Sequence, residues 1–161
     1  MSQVVVLGAG LGGTIMAYEL RKVLGREHQV TVVNRGATYS FVPSNPWVAV
    51  GWRDPASVEV DLVPVFSKAG IALRPEGAER LIPEENRVEL SNGESVPYDY
   101  LVVATGPELA FDEVPGLGPQ GHTQSICQVG HAVEAKAAVD RLIANPGPVI
   151  IGAAQGASCF G

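Results

Sequence analysis

Val4-Val5-Val6-Leu7-Gly8-Ala9-Gly10-Leu11-Gly12-Gly13 is the stretch that decides the fold of this 161-residue chain. Val4 to Leu7 are apolar and mostly β-branched, the composition of a strand buried on both faces. Gly8, Gly10 and Gly13 follow at once with the spacing G-x-G-x-x-G. In such a turn the first glycine permits the sharp exit from the strand. The second lets backbone approach a pyrophosphate, and the third lets the next helix lie close to the sheet. The periodicity predicts that helix over about Gly13 to Leu24, with Ile15, Met16, Leu20, Val23 and Leu24 as its apolar face and Gly25 as its stop. Its N-terminus would turn free N–H groups and the positive end of its dipole toward phosphate. Gly8, Ala9, Gly10, Gly12 and Gly13 are therefore candidate dinucleotide-binding residues.

Composition narrows the classes around that turn. Hydrophobic residues make up 46% of the chain, enough for roughly one domain core. A formal charge of −6 speaks against nucleic acid, because no basic stripe could neutralise phosphates. The 19 glycines and 12 prolines are scattered among apolar runs and mark turns rather than disorder. No apolar stretch approaches the ~20 residues of a membrane span, and no signal peptide is expected ahead of a strand that already includes Val4. Two cysteines do not make a disulfide scaffold at this length. Without a short C-x-x-C or H-x-x-x-H spacing, no metal site is expected either.

The second strand, Val30 to Val33, ends at Asn34-Arg35. About 20 residues after the last glycine, this is where an Asp or Glu usually holds the adenosine ribose. An amide can still bond ribose hydroxyls, though without charge. Arg35 suits a 2′-phosphate as well as it suits a place over the adenine or in solvent, so the choice of dinucleotide stays open at this position. Tyr39 to Trp52, with Pro43 and Asn45 inside it, reads either as the stiff wall of a flat cofactor pocket or as a packed surface loop. Asp61 is expected to cap a helix running to Lys68 and closed by Gly70, with a strand at Ile71 to Leu73. From Glu79 to Val103 the chain reads as a meander, Arg80–Ile82 followed by Arg87–Leu90. Asn92-Gly93 predicts a type I′ turn into Ser95–Pro97. A last buried strand then runs into Ala104-Thr105-Gly106. Beyond a loop at 107–121, a helix is predicted from about Gly130 to Ala144, with Ala132, Val133, Ala137, Leu142 and Ile143 inward. Asn145 to Pro148 break it. Val149 to Ile151 begin a strand that leads into a second glycine turn, which reads as the opening of a second dinucleotide-type domain in a longer protein.

A strand ending in Ala104-Thr105-Gly106, after a hairpin and a dinucleotide turn, resembles the second flavin signature of the two-dinucleotide-domain flavoproteins. That resemblance implies FAD rather than NAD at the first turn. The fold it implies is α/β: a Rossmann-like, FAD-binding three-layer arrangement with a parallel sheet plus a β-meander, and the start of a second dinucleotide-binding domain. The expected division is 1–110 for the FAD-binding domain, 111–147 for a connecting loop and helix, and 148–161 for the start of the second domain. Phe41-Val42-Pro43-Ser44-Asn45-Pro46-Trp47, Gly51-Trp52, Ser125-Ile126-Cys127 and Gly152-x-x-x-Gly156-Ala157-Ser158-Cys159-Phe160-Gly161 narrow this further. Together they resemble the sulfide:quinone oxidoreductase family, over essentially all of this chain and over the N-terminal part of a family member.

That family likeness implies a chemistry. Sulfide attacks a sulfur bridge between cysteines beside FAD, and electrons pass by way of a cysteine thiolate to the flavin and on to a membrane quinone. A thiolate suits this because it is both nucleophile and leaving group in sulfur exchange. Cys159 matches the family's cysteine next to the flavin. Cys127 matches the one that loads or releases sulfur, or in some members holds the flavin. The family's third cysteine has no counterpart before Gly161. His131, four residues after Cys127, matches a histidine that activates a thiolate or moves a proton. The resemblance also implies a peripheral membrane location through C-terminal elements, while a fragment of this length would itself be soluble and hold FAD weakly. The alternatives are a type II NADH:quinone oxidoreductase-like flavoprotein and a non-catalytic nucleotide-binding module.

Overall fold

The computed structural model describes residues 1–153, so Cys159 and the rest of the second glycine turn lie outside the described residues. In chain order the elements are β1 (Gln3–Leu7), α1 (Leu11–Val23), β2 (Gln29–Val33), β3 (Thr38–Ser40), α2 (Asn45–Ala49), β4 (Glu59–Asp61), α3 (Leu62–Ala69), β5 (Ala72–Arg74), β6 (Ala78–Ile82), β7 (Arg87–Leu90), β8 (Ser95–Pro97), β9 (Tyr100–Val103) and α4 (Val129–Ala144). They form two compact units. Met1–Tyr39 with Val60–Pro107 make the first, and Ser40–Glu59 with the described chain from Glu108 onward make the second.

The first unit has three layers around a parallel sheet ordered β5-β2-β1-β9. β1 lies at its centre, with Val4 opposite both Val30 and Tyr100 and Leu7 opposite both Val33 and Val103. Alternation along each strand divides the core. Val6, Val30 and Val32 pack with Ala17, Leu62 and Phe66 on the helical side. Val5, Leu7 and Val33 pack with Val88, Leu90 and Val96 of the antiparallel meander β6-β7-β8 on the other. Each of these buried valine, leucine and phenylalanine side chains contributes about 1.5–3 kcal/mol through burial. This is the α/β arrangement with parallel sheet and meander that the sequence predicted.

Several local expectations need correcting. In α1 the buried residues are Gly13 and Ala17, while Leu20 and Leu24 pack against the core. Ile15, Met16 and Val23 are exposed at 55%, 40% and 72%. The inward line is therefore 13, 17, 20 and 24, and its small residues let the helix settle against the sheet. Gly25 is not a left-handed stop, because the helix already ends in extended backbone at Leu24. The Arg21 guanidinium serves instead, donating to the carbonyls of Leu24 (2.9 Å) and His28 (2.8 Å). At the 90–94 hairpin Asn92 keeps a negative φ, so the turn is not type I′. Gly93 alone is left-handed (φ +85°), and its N–H donates to Leu90 O at 2.9 Å. This is the three-residue loop, a type I turn completed by a left-handed glycine. α3 is as predicted: the Asp61 carboxylate accepts the Val63 N–H at 2.9 Å, and Gly70 closes the helix at φ +73°.

The predicted 39–52 loop, which belongs to the second unit from Ser40 onward, is partly helical, with a 3-10 turn at Val42–Ser44 leading into α2. Pro43 and Pro46 sit in first turns, where a missing N–H costs nothing. Val48, Ala49 and Val58 pack against Ala132 and Ala135 of α4. The inward side of α4 is thus 132 and 135, whereas Val133 and Ile143 are exposed at 46% and 71% and Ala137 is also outward. Val149, Ile150 and Ile151 form no strand and are exposed at 59%, 96% and 87%. Their apolar character is a strand signal, but a strand exists only where a neighbour supplies hydrogen bonds. Among the described residues no helix is long and apolar enough to cross a membrane.

Candidate functional site

The glycine turn is built by close approach. Gly8 leaves β1 at φ +94°, while its N–H still donates to Val33 O of β2 at 2.8 Å. On the other flank the Ala104 N–H donates to Leu7 O at 2.8 Å, which brings the end of β9 against the turn. A Cβ at Gly8 would lie 2.4 Å from Ala104 O and 3.1 Å from Thr105 Cα. One at Gly13 would lie 2.0 Å from Gly8 O and 3.4 Å from Ala104 Cβ. Gly8, Gly13 and the small residues Ala104 and Thr105 therefore form one tight joint between strand ends and helix. Gly106 turns the chain away from it at φ +73°.

Gly10 and Gly12 behave differently. A Cβ at either would meet no protein atom within 4 Å. Among the described residues the N–H groups of Leu11, Gly12 and Gly13 find no acceptor, and Gly10 gives α1 no side-chain cap. No acidic residue occupies the first turn. Open space, unused donors and the helix dipole together suit an anion such as the pyrophosphate of a dinucleotide. On these observations the residues fit the ADP half of FAD.

Asn34 stands beside that cradle. Its Oδ1 accepts the Ala9 N–H at 2.9 Å, and its Nδ2 donates to Gly36 O at 3.0 Å and Arg35 O at 3.4 Å. One side chain thus fastens the glycine turn to the turn after β2 and keeps one Oδ1 lone pair for a further donor. Thr14 Oγ1 adds a second tie, donating to Ala9 O at 3.0 Å. Arg35 forms an antiparallel bridge with Glu76, and its side chain lies along Gly77, where a Cβ would come within 2.8 Å of Arg35 Cγ.

The other predicted site residues belong to the second unit. Cys127 is exposed and precedes α4 by two residues. Its N–H donates to Oγ of the buried Ser125 at 3.3 Å. The preceding carbonyl, Ile126 O, accepts from Nδ2 of Asn45 at 3.0 Å. Asn45 opens α2 and is 0% exposed, and Pro43 lies in the 3-10 turn just before it. His131 is in the first turn of α4, with its ring tilted against Phe111 at 5.6 Å and its buried Nδ1 without a partner among the described residues.

The sequence suggested Asn34 because strand ends of this kind carry a polar ribose ligand, but not its bond to Ala9. It gave no signal at all for Asn45 with Ile126 or for Phe111 with His131, because these contacts join residues far apart in the chain. Among the described residues no cluster of three His, Cys, Asp or Glu side chains could hold a metal ion.

With the fold and these sites in view, comparison with known proteins is decisive. Residues 2–156 match the family model described as pyridine nucleotide-disulphide oxidoreductase. The chain is 40% identical over 158 residues to the sulfide-quinone reductase of Aquifex aeolicus, covering 98% of this chain and 36% of that protein. It is 30% identical over 122 residues to the mitochondrial sulfide:quinone oxidoreductase of Dictyostelium discoideum, covering 73% and 26%. The crystal structure of the Aquifex aeolicus sulfide:quinone oxidoreductase superposes with a TM-score of 0.91 at 39% identity, over 99% of this chain and 36% of that one. The chain thus spans about a third of the length of the Aquifex relative. It belongs to the pyridine nucleotide-disulphide oxidoreductase family of FAD-dependent oxidoreductases, and within that family it resembles the sulfide:quinone oxidoreductases.

Proposed function

We propose that the protein carrying this chain oxidises sulfide with FAD and delivers the electrons to a quinone. The observation that carries this reading is the similarity to sulfide:quinone oxidoreductases across nearly the whole chain. The glycine cradle supports it on physical grounds. In the proposal the N–H groups of Leu11 to Gly13 hold the pyrophosphate, with Gly8, Ala9, Gly10 and Gly12 leaving it room. Asn34 and Arg35 lie toward the ribose and adenine, and Ala104, Thr105 and Gly106 let the strand end approach the cofactor. Pro43 and Asn45 belong to the flavin-side segment, and 148–161 opens a second dinucleotide-binding domain.

FAD, when bound, supplies a two-electron carrier between sulfur and quinone. The chain's own part is sulfur exchange. Hydrosulfide attacks a sulfur–sulfur bond shared by Cys159, forming a persulfide on one partner and releasing the other as thiolate. Two electrons leave through that thiolate, and the sulfur is kept as polysulfide. The net change is HS⁻ + quinone + H⁺ → S⁰ + quinol. Cys127 loads or releases the sulfur chain, and His131 moves the proton. Membrane association accompanies the use of a membrane quinone.

The test uses the protein expressed from its full reading frame, mixed anaerobically with sulfide and a soluble quinone. Bleaching of the flavin and loss of quinone are expected, and Cys159→Ser should abolish turnover. A flavin that sulfide leaves oxidised refutes the reading. Rapid bleaching by NADH with none by sulfide would indicate a type II NADH:quinone oxidoreductase-like enzyme instead. Equilibrium dialysis of the 161-residue chain against FAD and ADP addresses the binding-module alternative, which predicts equal weak affinity for both.

A further inference from the structure

Asn45 is among the buried polar residues of the second unit, and only half of its amide is used. Its Nδ2 crosses 81 residues of sequence to donate to Ile126 O at 3.0 Å. Its Oδ1 is buried and has no partner among the described residues. A buried amide with an orphaned oxygen is costly, so its retained bond must hold something in place. What it holds is the irregular segment 124–128 that carries Cys127. The Ile126 carbonyl is tied by Asn45, and the Cys127 N–H is tied by the buried Ser125 hydroxyl at 3.3 Å. Packing of Val48 and Ala49 against Ala132 and Ala135 fixes the floor on which both ends rest. Both bonds fix the one peptide group between Ile126 and Cys127, just ahead of the Cys127 α-carbon, and α4 begins two residues after it, while Cys127 itself stays exposed.

We infer that Asn45 is a positioning residue for Cys127: it sets where the thiol is presented, and its bond partner is the Ile126 carbonyl rather than the flavin. The catalytic consequence rests on the proposed sulfide oxidation; the positional claim does not. A thiol that must meet sulfur at bonding distance loses rate when its backbone is released, because the productive geometry becomes one of several.

The test uses the protein expressed from its full reading frame, with FAD content and melting temperature measured first. Asn45→Leu removes the donor and orphans the Ile126 carbonyl. It is expected to slow flavin bleaching by sulfide about tenfold, while bleaching by dithionite, which needs no cysteine, stays at the wild-type rate. Asn45→Asp keeps the shape; protonated it can donate to Ile126 O, and ionised it cannot. The ratio of its sulfide rate to wild type, taken at each pH, should lie near one in acid and fall as the pH rises. For Asn45→Leu the ratio should be flat. A wild-type sulfide rate in Asn45→Leu, sulfide and dithionite rates that fall together, or a pH-independent ratio for Asn45→Asp would each overturn the inference. If sulfide does not bleach the wild-type flavin, the functional reading fails and hydrogen exchange decides the positional one. Asn45→Leu, or Asn45→Asp at high pH should the first variant not fold, must then raise deuterium uptake of residues 125–128 about tenfold without changing that of residues 4–7. Unchanged uptake at 125–128 overturns it.

Discussion

Gly13→Ala and Gly12→Ala differ by one position in the same helical turn, yet the structure predicts opposite effects on stability. By helix propensity alone both should help, since alanine is favoured over glycine by about 1 kcal/mol inside a helix. At Gly12 nothing lies within 4 Å of a new Cβ, so that gain stands, up to about 1 kcal/mol. At Gly13 the Cβ would sit 2.0 Å from Gly8 O and 2.9 Å from Gly8 C. Relief to an ordinary contact of about 3.5 Å requires a shift of roughly 1.5 Å. The carbonyl side is held, because the Gly8 N–H is bonded to Val33 and the Ala104 N–H to Leu7. The helix must move instead, and it would lift Ala17, Leu20 and Leu24 off the valines of β1 and β2. Overpacking costs about 1–3 kcal/mol, and a 2.0 Å contact against held backbone belongs at about 2–3 kcal/mol, above the propensity gain. A net loss of roughly 1–2 kcal/mol is expected for Gly13→Ala. Urea unfolding of the cofactor-free chain, followed by far-UV circular dichroism, should rank the midpoints Gly12→Ala, wild type, Gly13→Ala. A Gly13→Ala midpoint at or above wild type would refute the close-approach argument.

Other expectations follow from single contacts. Gly12→Ala should gain stability but weaken FAD binding at least about tenfold in equilibrium dialysis, since its methyl enters the space left for phosphate; undiminished affinity would mean that the anion sits elsewhere. Asn34→Ala frees the Ala9 N–H and unties the turn after β2. FAD affinity should fall about tenfold by loss of roughly 1–1.5 kcal/mol, and a dissociation constant equal to wild type would exclude Asn34 from shaping the cradle. Asp61→Ala removes the Val63 cap and should cost about 1 kcal/mol. Thermal unfolding reads this directly, and an unshifted transition would show the cap to be dispensable.

Several elements were legible because their causes are local. The Gly8 turn, the Asp61 cap, the Gly70 stop and the meander each depend on residues within a few positions of one another. The same reasoning misread α1 and α4, where periodicity marked apolar residues but not which of them would be covered. Ile15, Met16 and Ile143 satisfy a helical pattern and still face outward, while Ala17 and Ala135 take the inner line, the latter beside Ala132, which the pattern did place inward. Close packing on the sheet and on α2 favours small residues there, and hydropathy does not express closeness. Asn92-Gly93 located its hairpin correctly, but loop length decided the turn type.

By itself the sequence determined that a strand, a glycine turn and a helix come in the order that makes a phosphate cradle. It also supplied the motifs that resemble a flavoprotein family, because those signals are written in consecutive residues. Tertiary structure decided what the cradle is made of. It set Ala104 against Gly8, drew Asn34 to Ala9, and bonded Asn45 to the carbonyl before Cys127. These pairs are separated by tens of residues, and nothing at either position names its partner. They meet only because parallel strands and packed helices bring distant backbone into register, and a polar group buried there must find a hydrogen bond.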